Sequence, residues 1–144
     1  MIVFVGGGAM LFFAETKDTT GISDAGNNCR ITKIVDGDTI DLTCQTGQTE
    51  RIRILGYDTP ETYYAECPAE KQLGDAATRY LRDLAARQPV TRVERTRKDR
   101  YDRTLAHIWI GGENLANIMV AENLAVPYTG NQRISWCERL NDAG

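Results

Sequence analysis

Two short acidic segments, Asp36-Gly37-Asp38-Thr39 and Asp58-Thr59-Pro60-Glu61, flank an arginine, Arg53, in an otherwise apolar stretch. Carboxylates brought together repel one another unless a cation joins them. A guanidinium beside such a cation favours an anionic substrate, phosphate above all. Asp38 and Asp58 are the natural pair of ligands, and hard oxygen donors select Ca²⁺ or Mg²⁺ over zinc. An EF-hand loop starting at Asp36 fails, because its glycine and its twelfth-position glutamate are missing and Gly47 stands in that last place. Glu61, just beyond the rigid Pro60, is placed to orient or deprotonate an attacking water. Arg53 and Arg103 are placed to clamp a phosphate and meet its growing charge. Plainer readings stand beside these: Asp38 with Arg53 as a structural ion pair, and Asp-Thr-Pro-Glu as a capped loop-to-helix start.

The elements that must position these groups follow from periodicity. Cys29 to Val35 and Thr39 to Cys44 alternate as strands around a two-residue turn at Asp36-Gly37. Counting outward pairs Val35 with Asp38, Ile31 with Leu42 and Cys29 with Cys44. Directly opposed cysteines about 5.5 Å apart at Cα can form a disulfide, which leaves Cys67 to pair with Cys137. Glu50 to Gly56 reads as a third strand, with Arg53 opposite Ile40 and so on the face of Asp38. Glu66 to Arg87 has helical spacing and stops before Pro89. Val90 to Arg95 and Leu105 to Ile110 are two further strands, Leu115 to Leu124 a second helix, and the tail around Trp136 and Cys137 a short third one. The fold class expected is β+α: a five-stranded, closed oligonucleotide-binding (OB-fold) barrel with two to three helices. His107 falls in the last strand and reads as a partly buried histidine.

The chain has 144 residues and is 42% hydrophobic, which suits one compact domain. Its net charge of −3 is the wrong sign for coating nucleic acid through bulk electrostatics. A local basic run from Arg92 to Arg103 is either a binding patch or a solvated strand end. Four cysteines without a Cys-x-x-Cys pair, and a single histidine, argue against zinc. Ile2 to Ala14 is apolar, too short to span a bilayer as a helix, and similar to a secretory signal, although no basic residue precedes it. A misplaced start or a structural strand are the alternatives. Glu15 to Asn28 is polar and linker-like. Residues 1–28 are therefore expected to be leader and linker, and 29–144 the folded domain. An even cysteine count behind such a leader points to two disulfides and a secreted or periplasmic protein. Membrane association through the leader, and four buried thiols in a cytosolic protein, stay open.

Four segments taken together resemble the staphylococcal-nuclease (thermonuclease) family. They are Val35 to Ile40, Arg53 to Glu61, Asp99-Arg100-Tyr101-Asp102-Arg103-Thr104-Leu105-Ala106, and Asn117 through Leu124-Ala125. The resemblance implies an oligonucleotide-binding barrel and a Ca²⁺-dependent phosphodiesterase acting on DNA and RNA, single strands preferred, with 3′-phosphate products from P–O5′ cleavage. By position, Asp38, Asp58 and the Thr59 carbonyl match the calcium ligands. Glu61 matches the residue proposed as general base, and Arg53 and Arg103 match the phosphate-binding arginines. Arg100 and Tyr101 match a lysine and tyrosine that contact a terminal phosphate, and Tyr128 lies near the base-stacking tyrosines. Asp102 stands where the family prototype has glycine, adding a negative charge beside Arg103. A monomer without a stable protein partner is expected. A non-catalytic nucleic-acid or protein-binding module is the second reading, but such domains usually lose the Asp, Arg or Glu of the site, and this chain keeps all five.

Overall fold

The computed structural model describes residues 28–143, so the expected leader and linker lie outside the described residues apart from Asn28. Strands β1 (Cys29–Asp36), β2 (Thr39–Cys44) and β3 (Thr49–Ile54) form an antiparallel meander. β4 (Gly56–Asp58) then leaves the sheet, and α1 (Pro68–Arg87) crosses to the hairpin of β5 (Val90–Lys98) and β6 (Thr104–Ile110). β6 lies parallel to β3, giving a mixed sheet in the order β1-β2-β3-β6-β5. β7 (Glu113–Asn114) pairs with β6 and leads into α2 (Leu115–Ala121), capped by the Asn114 side chain on the Ala116 N–H. β8 (Val126–Tyr128) returns to pair with β4, and α3 (Trp136–Ala143) closes the described chain.

Two expectations are corrected. The sheet is not a closed barrel: β1-β2-β3-β6-β5 make an open path whose ends are β1 and β5, β7 pairs with β6 off that path, and β4 with β8 forms a separate two-stranded sheet. The hairpin turn is Gly37-Asp38, not Asp36-Gly37, since Asp36 pairs with Thr39. Bulges at Thr32 and Val35 insert extra residues into β1, so the turn moves while Ile31↔Leu42 and Cys29↔Cys44 stay in register. Both disulfides join the expected partners, Cys29 with Cys44 and Cys67 with Cys137. The first brings its Cα atoms to 3.8 Å, closer than the spacing expected from the ladder.

The core is the inner face of the sheet against α1 and α2. Ile40, Leu42, Ile52, Ile54, Ala106 and Ile108 alternate inward along the strands, and Ala77, Leu81, Leu115 and Met119 meet them from the helices. α1 starts at Pro68, which suits the first helical turn, and ends at Arg87, two residues before Pro89, which could not continue it. Gly74 sets how close α1 can come. A Cβ there would lie 2.5 Å from the Glu61 carbonyl oxygen and 2.9 Å from that of Pro60, so the helix backbone rests directly on the segment that carries Glu61.

Gly74→Ala should therefore destabilise the fold by about 1–3 kcal/mol, as overpacking against backbone does. Urea or thermal unfolding measures it, and a variant as stable as wild type would show that this contact does not constrain the packing.

Candidate active site

The Gly37-Asp38 turn, β4 with the residues after it, and the start of β6 converge on one groove of about 840 Å³, lined by Asp36, Asp38, Arg53, Asp58, Glu61 and Arg103 among others. Asp38 (8% exposed) and Asp58 (1% exposed) are both buried there. The Arg53 Nη2 bridges them, 3.4 Å from Asp38 Oδ2 and 3.6 Å from Asp58 Oδ1. Its Nη1 donates to the carbonyls of Ile54 and Tyr57, at 2.5 and 3.3 Å, which fixes the guanidinium from behind. The expected pairing of Arg53 with Ile40 is off by one. Arg53 pairs with Thr39, and Asp38 reaches it from the turn rather than from a shared strand face.

Asp38 is held on several sides. Its Oδ1 accepts from the Thr39 hydroxyl at 3.2 Å, and its Oδ2 from the Thr59 hydroxyl at 3.1 Å and the Thr59 N–H at 3.4 Å. The Asp38 N–H donates to Asp36 Oδ1 at 3.1 Å, so Asp36 organises the turn while standing in the acidic cluster. Burial, followed by the charge of Asp38, pushes the Asp36 carboxyl up to about 7. Below the hairpin, the buried Tyr57 hydroxyl donates to the Gly37 carbonyl at 2.8 Å. Burial, and then Asp38, holds that phenol neutral well above its ordinary value.

The donor set fits a hard cation. Asp58 Oδ1 is a buried acceptor with no aligned hydrogen bond that faces only the guanidinium charges of Arg53 and Arg133, and the neighbouring acceptors are carboxylate and carbonyl oxygens. Asp38, Asp58 and the Thr59 carbonyl would hold such an ion.

Arg103 is half-buried and positioned by Asp99, whose Oδ2 accepts from its Nε at 2.7 Å while Oδ1 accepts from the N–H groups of Arg103 and Tyr101, each at 2.9 Å. The Tyr101 ring is exposed between the guanidiniums of Arg100 and Arg103, 5.0 and 5.5 Å from its centroid. Asp102 has φ 65°, the left-handed region that a glycine adopts freely and an aspartate tolerates. Its carboxylate pairs with Lys98 at 3.2 Å. The rest of the basic run is divided between uses. Arg92 pairs with Glu94 and lies over Trp109, and Arg95 pairs with Glu50, whereas Arg97 lines the groove. Tyr128 lines the groove and donates to the Asn131 carbonyl at 2.6 Å. His107 is half-buried at the groove wall, 6.3 Å from the Trp109 ring.

Four residues at the site escape sequence reasoning. The Trp136 Nε1 donates to Asp58 Oδ2 at 3.1 Å. The Arg133 Nε lies 2.8 Å from Asp58 Oδ1, and its Nη1 3.1 Å from Glu61 Oε1. Burial works against the Arg133 charge, but Asp58 and then Glu61 outweigh it and raise its pKa. The buried Glu70 accepts the N–H of Glu61 at 3.0 Å and of Glu66 at 2.9 Å, clamping both ends of the loop that presents Glu61. Tyr64, on that loop, is exposed at the groove rim. The expected Cys67–Cys137 disulfide is the signal that could have found Arg133 and Trp136, since it seats the tail beside that loop.

Among known proteins, the family model described as "Staphylococcal nuclease homologue" matches residues 51–140. The chain is 37% identical over 101 residues to a thermonuclease of Staphylococcus intermedius, covering 69% of this chain and 59% of that protein. It is 31% identical over 129 residues to a thermonuclease of Staphylococcus hyicus, covering 87% of this chain and 74% of that one. An uncharacterized endonuclease of Haemophilus influenzae is 33% identical over 102 residues, 71% of this chain and 53% of its own length. The aligned part of this chain thus spans little more than half of the first and third of these relatives.

Burial raises the Asp99 carboxyl, but the N–H groups and guanidinium of Arg103 and the Tyr101 N–H outweigh it and hold it below its ordinary value. A depressed folded pKa contributes stability that is complete above the unfolded value of about 4 and is lost as pH falls through the folded one. Asp99→Asn should flatten this part of the acid limb. Urea unfolding of both proteins at stepped pH from neutral down into the acid range checks it, and parallel curves would refute the assignment.

Proposed function

The chain belongs to the family of staphylococcal nuclease homologues, and on that premise we propose that it is a Ca²⁺-dependent nuclease that hydrolyses phosphodiester bonds of DNA and RNA, preferring single strands and leaving 3′-phosphate ends. The observation that carries this reading is one guanidinium, Arg53, spanning the two buried carboxylates Asp38 and Asp58 at the edge of a groove that Glu61 and Arg103 also face. Asp38, Asp58 and the Thr59 carbonyl would hold the calcium ion, and the chemistry supplied there would be Lewis-acid polarisation of a phosphoryl oxygen.

Arg53 binds the scissile phosphate from the base of the groove, with its own side chain already fixed by two carbonyls. Arg103 approaches from the β5–β6 turn, oriented by Asp99. Together they meet the charge that builds on the phosphoryl oxygens in the transition state. Glu61 orients the water and takes its proton as oxygen attacks phosphorus. The P–O5′ bond breaks on the opposite side, and the departing O5′ takes a proton from solvent. The Glu70 clamp keeps the Glu61 backbone in place for this role. Arg100 and Tyr101 bind a terminal phosphate, and Tyr128 borders the path of the bases.

The domain division belongs to the same proposal: a leader and linker over 1–28, a nuclease domain over 29–144, export to an oxidising compartment, and action as a monomer. The two disulfides support the compartment. Among the described residues no helix is long and apolar enough to cross a membrane.

Purified protein should digest single-stranded DNA and RNA with calcium and stop with chelator. Glu61→Gln and Arg103→Ala should each lower kcat by roughly 10²–10⁴-fold while cooperative unfolding is retained. No hydrolysis with any divalent metal would remove the enzyme reading, and near-normal rates in both variants would remove the residue roles. A thiol assay on denatured, unreduced protein from the exported fraction should find no free cysteine, and four reactive thiols there would remove the disulfides.

A further inference from the structure

The guanidinium of Arg133 lies among the same oxygens that the proposal above gives to a divalent ion. Its Nε is 2.8 Å from Asp58 Oδ1, and its Nη2 is 3.3 Å from Asp58 Oδ2 and 3.4 Å from the Thr59 carbonyl. Its Nη1 reaches Glu61 Oε1 at 3.1 Å. One planar fork therefore touches two of the three cation ligands and the catalytic carboxylate at once.

Its position is not left to a free tail. Just past Arg133, Trp136 is buried and donates to Asp58 Oδ2 at 3.1 Å. The next residue, Cys137, is bonded to Cys67 at the N-cap of α1, across 70 residues of sequence. Upstream, the Tyr128 hydroxyl donates to the Asn131 carbonyl at 2.6 Å, and β8 is paired with β4, the strand that ends in Asp58. The segment carrying Arg133 is thus fastened on both sides to the element that carries the ligand.

We infer that Arg133 is a tethered internal cation that a divalent metal must displace, so that the C-terminal tail, through the Cys67–Cys137 disulfide, sets the metal affinity of the site. This inference rests on the proposed cation site. Buried carboxylates with no positive partner repel each other, and Arg53 alone meets Asp38 and Asp58 without reaching Glu61 in the contacts described. Arg133 supplies the missing positive charge, and covalent tethering makes it compete at high local concentration. An ion held by Asp58 and the Thr59 carbonyl would need the close positions that the Arg133 fork fills on both, so ion binding and the Arg133 contacts are antagonistic, and that coupling is reciprocal.

The test is direct metal binding without substrate: calorimetric titration with Ca²⁺, and Tb³⁺ luminescence excited through the neighbouring Trp136. Arg133→Ala should bind both ions about 10-fold or more tightly than wild type, in the range of ordinary coupling between sites, and Arg133→Lys should fall between. The double variant Cys67→Ser/Cys137→Ser should move affinity in the same direction and add little to Arg133→Ala. Circular dichroism confirms folding, and Arg133→Gln replaces the alanine variant if that one does not fold. Equal dissociation constants in wild type and variants, or weaker binding without Arg133, would overturn the competition while leaving the metal site standing. No binding of either ion to any of these proteins would overturn the calcium reading itself.

Discussion

Everything at the site depends on keeping two buried carboxylates close together. Asp38 and Asp58 come from different elements, a hairpin turn and the end of a short strand, and their mutual repulsion would open the fold if nothing opposed it. Arg53 opposes it from within the sheet, and its own geometry is set by two backbone carbonyls rather than by the acids it serves. Hydroxyl and N–H groups of Thr39 and Thr59 take up the Asp38 lone pairs, while Asp58 keeps one oxygen without an aligned donor. The asymmetry separates a carboxylate held by neutral donors from one whose second oxygen faces only the guanidinium charges of Arg53 and Arg133.

The sheet and the helices serve that geometry. The parallel pairing of β3 with β6 sets the Arg53 strand beside the strand that begins just after Arg103, so two arginines distant in sequence face one groove. Leaving the sheet open at β1 and β5, and using β4 with β8 as a separate ribbon, places Asp58 at a strand end where its side chain can be buried without interrupting a ladder. Glu70, on the first turn of α1, then reaches back to the Glu61 loop, so the helix that builds the core also fixes the flank of the site.

Much of this was legible in the sequence, for unequal reasons. Local periodicity placed α1, the β5–β6 hairpin and the opposed Cys29 and Cys44, the last because two bulges shift the turn without shifting the far end of the strands. The proximity of Asp38 and Arg53 was anticipated from a register that is one residue off. The conclusion survives because Asp38 belongs to the turn and is not bound by strand parity. Barrel closure was not legible, since whether β1 meets β5 depends on the coiling of the whole sheet rather than on any short pattern. Arg133, Trp136 and Glu70 are ordinary residues in ordinary local contexts. Only the tertiary path, fastened by Cys67 and Cys137, makes them part of the site.

The bare contact at Gly74 has a consequence for how the molecule moves. Because the α1 backbone bears on the Pro60 and Glu61 carbonyls with no side chain between them, there is no soft layer to absorb movement of the helix. Movement of α1 in its seat is transmitted directly to the segment that carries Glu61, so the helix that closes the core is also a rigid stop for that flank of the site.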